Sequence, residues 1–197
     1  FLPESTRFAK LHGVYAVDRI RIDTSLALAR RGEQSIKWIN TVGKFDFLAV
    51  FCHGWPDGCQ VGFTQRNVNE LARALRKARC SSVVLYCCSS ASTKKHGAIG
   101  GDGGLADSLR DAMCRAGDTY CRVDAHDTVG HTTQNPSVVR FEGQGSAVGG
   151  NGGRWIVAPK SPLWPYWSKA LRTTDLRFQF PFQSIAEIHD GLLRDFS

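Results

Sequence analysis

Phe45 to Cys52 (FDFLAVFC) and Ser82 to Cys88 (SVVLYCC) decide how this chain reads. Each is a short apolar run rich in β-branched and aromatic residues, and each reads as a strand buried in a sheet rather than as a helix. Between them, Gln65 to Arg79 places Val68, Leu71, Leu75 and Ala78 at helical spacing behind Thr64, a suitable N-cap. Leu105 to Ala116 is a second helix, preceded by Gly103-Gly104 and closed by Gly117. Thr119 to Asp124 (TYCRVD) then supplies a third strand. Strand, helix, strand, helix, strand implies parallel pairing through crossover helices. The expected fold is therefore α/β, a three-layer sandwich with a mostly parallel sheet flanked by helices.

Outward from this centre the pattern loosens. Val14 to Ile22 (VYAVDRIRI) alternates in part, as a strand with one covered face does. Gly32 ends the next stretch, and Glu33 to Val42 reads as a helix with Ile36, Ile39 and Val42 on one side. Downstream, Ser137 to Glu142 and Arg154 to Val157 read as strands around the glycine-rich linker Gly143 to Gly153. Leu163 to Arg172 and Ser184 to Arg194 read as helices, separated by Asp175 to Phe182. Trp155, Trp164, Trp167, Phe178, Phe180 and Phe182 are expected to pack on the sheet as core or lid. With no internal repeat, residues 1–197 read as one domain, its sheet core spanning about 14–142 and an irregular aromatic-rich region filling 143–197.

The bulk composition narrows the function classes. A chain of 197 residues with 42% hydrophobic and 22% charged residues can bury a sizeable core. No run approaches the ~18 apolar residues of a membrane span, so no membrane partner is expected. Phe1 to Lys10 lacks a basic start followed by an apolar stretch, so no signal peptide is expected either. The charge of +7 permits polyanion contact, but Lys and Arg are scattered, with only short groupings such as Arg30-Arg31 and Lys94-Lys95. Scattered charge serves solubility, so nucleic acid is not an expected partner. Seven cysteines, an odd number that includes the adjacent pair Cys87-Cys88, make a poor disulfide framework. A reducing, cytoplasmic location is the expectation.

The chemistry lies where the two central strands end. One ends in His53-Gly54, and the next, across one helix, ends in Cys87-Cys88-Ser89-Ser90. In an open parallel sheet the carboxyl ends of the strands line the binding crevice, and neighbouring strands lie ~4.8 Å apart. An imidazole and a thiol placed there converge without special loop design, and the imidazole can activate the thiol at neutral pH. Gly54 has no side chain to obstruct a substrate carbonyl, and its N–H can help hold an oxyanion.

These motifs resemble the caspase-like cysteine peptidases, which include metacaspases, clostripain and gingipains. There a hydrophobic strand ends in His-Gly, and the next ends in a small residue followed by the nucleophilic Cys. FLAVFCHG is similar to the first motif, VVLYCCSS to the second, and GGDGGLADSLRDAMCRAG to the glycine-led helix that follows the nucleophile in many bacterial members. The resemblance covers roughly Phe45 to Asp124, with Cys87 where the family usually has Ala. It implies Cys88 as nucleophile, His53 as base, Gly54 as oxyanion donor, a protein or peptide substrate and no cofactor.

Other readings stand beside this one. Taken singly, His-Gly after a strand is usually a turn and a buried Cys is usually core filler; it is their joint placement that argues for a dyad. Cys52 and Cys87 read as packing residues, and Cys59 as an incidental loop thiol. A catalytically silent caspase-like module that binds a partner through its aromatic C-terminal region keeps the same fold. His126, Asp127 and His131 are types suited to zinc, which would make a metal-dependent hydrolase, but their spacing matches no zinc signature. Asp124, His126 and Asp127 could instead contact substrate near the sheet edge. Gly100 to Gly104 before a helix could cradle a phosphate but lacks the Gly-Lys-Ser/Thr ending of a P-loop, and an active-site loop is the expectation there.

Overall fold

The strand Phe47–Phe51 (β1) lies in a five-stranded sheet of order β1-β4-β5-β6-β7, formed with Ser82–Tyr86 (β4), Arg122–His126 (β5), Val138–Glu142 (β6) and Arg154–Val157 (β7). A two-stranded hairpin of Gly54–Trp55 (β2) and Gly58–Cys59 (β3) follows β1 directly. The helices are Leu2–Leu11 (α1), Leu28–Val42 (α2), Val68–Ala78 (α3) and Leu105–Arg115 (α4). The computed structural model describes residues 1–93, 101–129, 137–143 and 152–157, with Pro165 and Arg194. The sequence-predicted helices at 163–172 and 184–194 lie outside the described residues, as does most of the aromatic C-terminal region.

The three expected central strands are present and parallel: β1 pairs β4, and β4 pairs β5. β6 and β7 then run antiparallel, so the sheet is mixed. Its alternation explains the two-sided burial. Val83 and Leu85 face the cluster built by Ile36 and Ile39 of α2, Leu71 and Leu75 of α3, and Leu105, Leu109 and Met113 of α4. Val84 and Tyr86 face the other way, toward Phe8 of α1, whose ring centroid lies 5.5 Å from Phe47, 5.5 Å from Phe51 and 5.9 Å from Tyr86. The apolar stripe expected on the helix after β1 is buried in full: Val68, Leu71, Leu75 and Ala78.

Several expectations are corrected. Thr64 is not the N-cap of α3; Asn67 is, and its side chain turns away from the helix to the preceding loop, accepting the Thr64 N–H at 2.9 Å and donating to the Gly62 carbonyl at 2.8 Å. Gly32 does not end a stretch but sits buried inside α2. A Cβ there would lie 2.6 Å from both the Gly62 carbonyl oxygen and the Asn67 amide nitrogen, so close helix–loop packing overrides the helix-breaking tendency of glycine. Val14 to Ile22 forms no strand, only a 3-10 turn at Ala16–Asp18, with Tyr15 and Val17 exposed. Alternation without a neighbouring strand to pair with yields no ladder, so the sheet begins at Phe47 rather than near residue 14. The third strand starts at Arg122, after a turn in which the Cys121 N–H bonds the Asp118 carbonyl, and extends through Ala125 and His126. Among the described residues no helix is long and apolar enough to cross a membrane.

Candidate functional site

The last paired residues of β1 and β4 are Phe51 and Tyr86, so His53 and Cys88 stand at equivalent positions, two residues beyond the ladder on adjacent parallel strands. The register persists past the ladder, because the sulfurs of Cys52 and Cys87 lie 3.4 Å apart. The His53 imidazole is exposed and meets the Phe1 ring edge-on at 4.9 Å, and the His53 carbonyl accepts the Gln60 N–H at 2.8 Å. Cys88 is half-buried, whereas the other six cysteines are buried. The thiol that the motif singles out is therefore the accessible one.

Local structure presents it. Ser89 adopts a left-handed conformation with φ 54°, which costs a residue with a Cβ about 1 kcal/mol or more and persists only where its surroundings hold it. The hold is visible: the Ser89 N–H bonds the Thr128 carbonyl, the Ser90 hydroxyl bonds the Cys87 carbonyl at 2.8 Å, and the Ala91 N–H bonds the His126 carbonyl at 2.9 Å. The start of α4 ties together the two loops that leave β1 and β4. Its Leu105 N–H bonds the Pro56 carbonyl, three residues beyond His53, and its Ala106 N–H bonds the Ser90 carbonyl. Gly103 donates its N–H to the Asp107 carboxylate at 2.9 Å. Of the cradle expected at Gly100 to Gly104, the N–H groups of Gly103 and Gly104 are thus committed within the chain, Gly104 to the Gly101 carbonyl at 2.9 Å, and Gly100 lies outside the described residues.

Gly54 has a packing reason to be glycine. A Cβ there would lie 2.7 Å from the Cys87 Cβ and 2.7 Å from the Cys88 carbonyl oxygen. The chain after His53 thus crosses directly over the end of β4, which is what brings the two motifs together.

The other candidates lie elsewhere. Asp124 is 0% exposed and is gripped by Arg140, whose Nε and Nη2 reach its two oxygens at 2.8 and 3.1 Å. It belongs to the β5–β6 pairing and not to a substrate surface. His126 is buried in β5, its Nδ1 donating to the Ser137 carbonyl at 3.2 Å and its ring 6.0 Å from Tyr86. Asp127 is half-buried at the strand end, and burial raises its carboxyl above the usual range. His131, the third member of the metal alternative, lies outside the described residues.

Among the described residues, the group of metal-ligand types that does gather is Cys52, Cys59 and Cys87, with all three sulfurs within 4.8 Å of one another. Cys59 is not an incidental loop thiol: it is 0% exposed and belongs to the core. The signal for this was present in Trp55-Pro56-Asp57-Gly58, since Pro-Asp-Gly is turn chemistry. The turn folds the chain back so that Cys59 pairs with Gly54, beside Cys52. Hydrogen bonds from Cys59 and then Cys87 hold the Cys52 thiol well below its ordinary range, against burial. Compared with known protein families, curated proteins and solved structures, the chain finds no match.

Proposed function

We propose that this chain is a caspase-like cysteine hydrolase, a peptidase in which Cys88 is the nucleophile and His53 its base. The three-layer caspase-like sandwich is the fold this reading implies. The observation that carries it is the parallel, in-register pairing of β1 with β4, which sets His53 and Cys88 level at one sheet edge. Accessibility of Cys88 and the held left-handed turn at Ser89 support it independently.

In this mechanism the Cys88 thiolate attacks the scissile carbonyl, and backbone N–H groups about Gly54 stabilise the oxyanion. The tetrahedral intermediate collapses to a thioester as His53 gives its proton to the leaving amine. His53 then takes a proton from water, which hydrolyses the thioester and frees Cys88. Seven cysteines suit the reducing cytoplasm in which such an enzyme would act.

The test is turnover against a peptide-substrate panel with the acyloxymethyl-ketone probes that such thiols attack. Cys88→Ala and His53→Ala each abolish turnover while retaining the fold, and Cys87→Ala keeps it. Full turnover by Cys88→Ala would end the proposal.

A further inference from the structure

Three separate segments contribute the three clustered cysteines: Cys52 follows β1, Cys59 closes the β2–β3 hairpin and Cys87 follows β4. Their exposures are 4%, 0% and 0%, so the three sulfurs meet inside the core. The geometry points to a metal site, and we propose that Cys52, Cys59 and Cys87 bind one soft, thiophilic ion of the copper(I) class in a three-sulfur shell. This stands apart from the peptidase reading, since neither His53 nor Cys88 belongs to it.

Three observations carry the assignment. The first is distance. Metal–thiolate bonds of about 2.3 Å in a trigonal shell require sulfurs about 4.0 Å apart. The cluster already has one pair at 3.4 Å and every pair within 4.8 Å, so small side-chain rotations complete the shell. The second is donor type and number. Thiolates select soft ions, and among the described residues no His, Asp or Glu joins the group. Zinc in proteins takes four ligands, whereas closed-shell monovalent copper is satisfied by three, the number of sulfurs gathered here. The third is a fixed frame: the Cys59 N–H bonds the Phe63 carbonyl at 2.8 Å and the Ser35 hydroxyl bonds the Val61 carbonyl at 2.9 Å, so the hairpin and the loop after it hold Cys59 in place. Binding releases one proton for each thiol that becomes a thiolate ligand, with no change of oxidation state.

The test is anaerobic titration of the reduced full chain with copper(I) buffered by a chromophoric chelator, followed by X-ray absorption of the loaded protein. One equivalent is expected, with three sulfurs at about 2.3 Å, a distance typical of metal thiolates. Cys52→Ser, Cys59→Ser and Cys87→Ser each lose that equivalent, while Cys88→Ser, Cys80→Ser and Cys114→Ser retain it. Loaded wild type also unfolds at higher temperature than the metal-free chain, a readout that holds even if a serine variant fails to fold. Absence of stoichiometric binding by wild type, a shell with fewer than three sulfurs, loss of binding in Cys88→Ser, or displacement of copper by equimolar zinc would each overturn the proposal.

Discussion

Cys87 and Cys88 are neighbours in sequence and opposites in surroundings. Cys87 faces the helix-covered side, where burial raises its thiol, and Cys88 emerges half-buried beyond the strand end. Burial likewise pushes the Cys80 thiol up to about 12 and raises Cys121, and Cys52, though held low, is 4% exposed. Alkylation needs both thiolate and access. Brief iodoacetamide treatment of the native chain therefore modifies Cys88 first, and peptide mass mapping shows it. Gly54 is the second decisive residue. Gly54→Ala drives a Cβ into the backbone oxygen of Cys88 and the Cβ of Cys87 at 2.7 Å, where the only relief is to move the strand ends apart. The expected cost is about 1–3 kcal/mol in urea denaturation, accompanied by loss of Cys88 reactivity.

At the scale of elements, helix stripes and strand runs were legible, while everything set by close approach was not. β1, β4, α3 and α4 follow from apolar spacing within a few residues of their observed ends. The interior position of Gly32 was invisible, because its cause is a loop thirty residues away in sequence. This has a testable edge: Gly32→Ala would raise helix propensity by about 1 kcal/mol in isolation, yet here it destabilises, since the new Cβ meets Gly62 and Asn67. Thermal denaturation of Gly32→Ala below wild type confirms the packing account. Val14 to Ile22 failed for the converse reason, having strand-like residues without a strand to pair with. The placement of His53-Gly54 and Cys88 just beyond the ends of neighbouring parallel strands was readable from two short motifs. The burial of Cys59 was not, because it depends on how a six-residue hairpin folds back to pair Cys59 with Gly54.

Across the whole molecule, one apolar cluster extends from α2 through the sheet to β6, and a buried ion pair fastens the far side. Asp124 and Arg140 sit at 0% and 3% exposure on paired strands, so truncating Arg140 leaves the buried Asp124 carboxylate only the longer contact to Arg122 Nε at 3.8 Å. Arg140→Ala is expected to cost about 3–5 kcal/mol, and a double replacement of both by apolar residues considerably less. Calorimetry of the single and double variants reads the difference. This pair lies away from His53 and Cys88, so turnover per folded molecule should survive wherever the variant still folds.

The most direct measurement of convergence is the second-order rate of Cys88 alkylation at neutral pH, with and without the imidazole. If His53 shares the crevice with Cys88, His53→Ala slows the reaction about tenfold or more, because the attacking sulfur loses its general base. His12→Ala, a substitution in the α1 region against Phe8 and Phe47, leaves the rate unchanged. Equal rates in wild type and His53→Ala would mean that the two strand ends do not form one site.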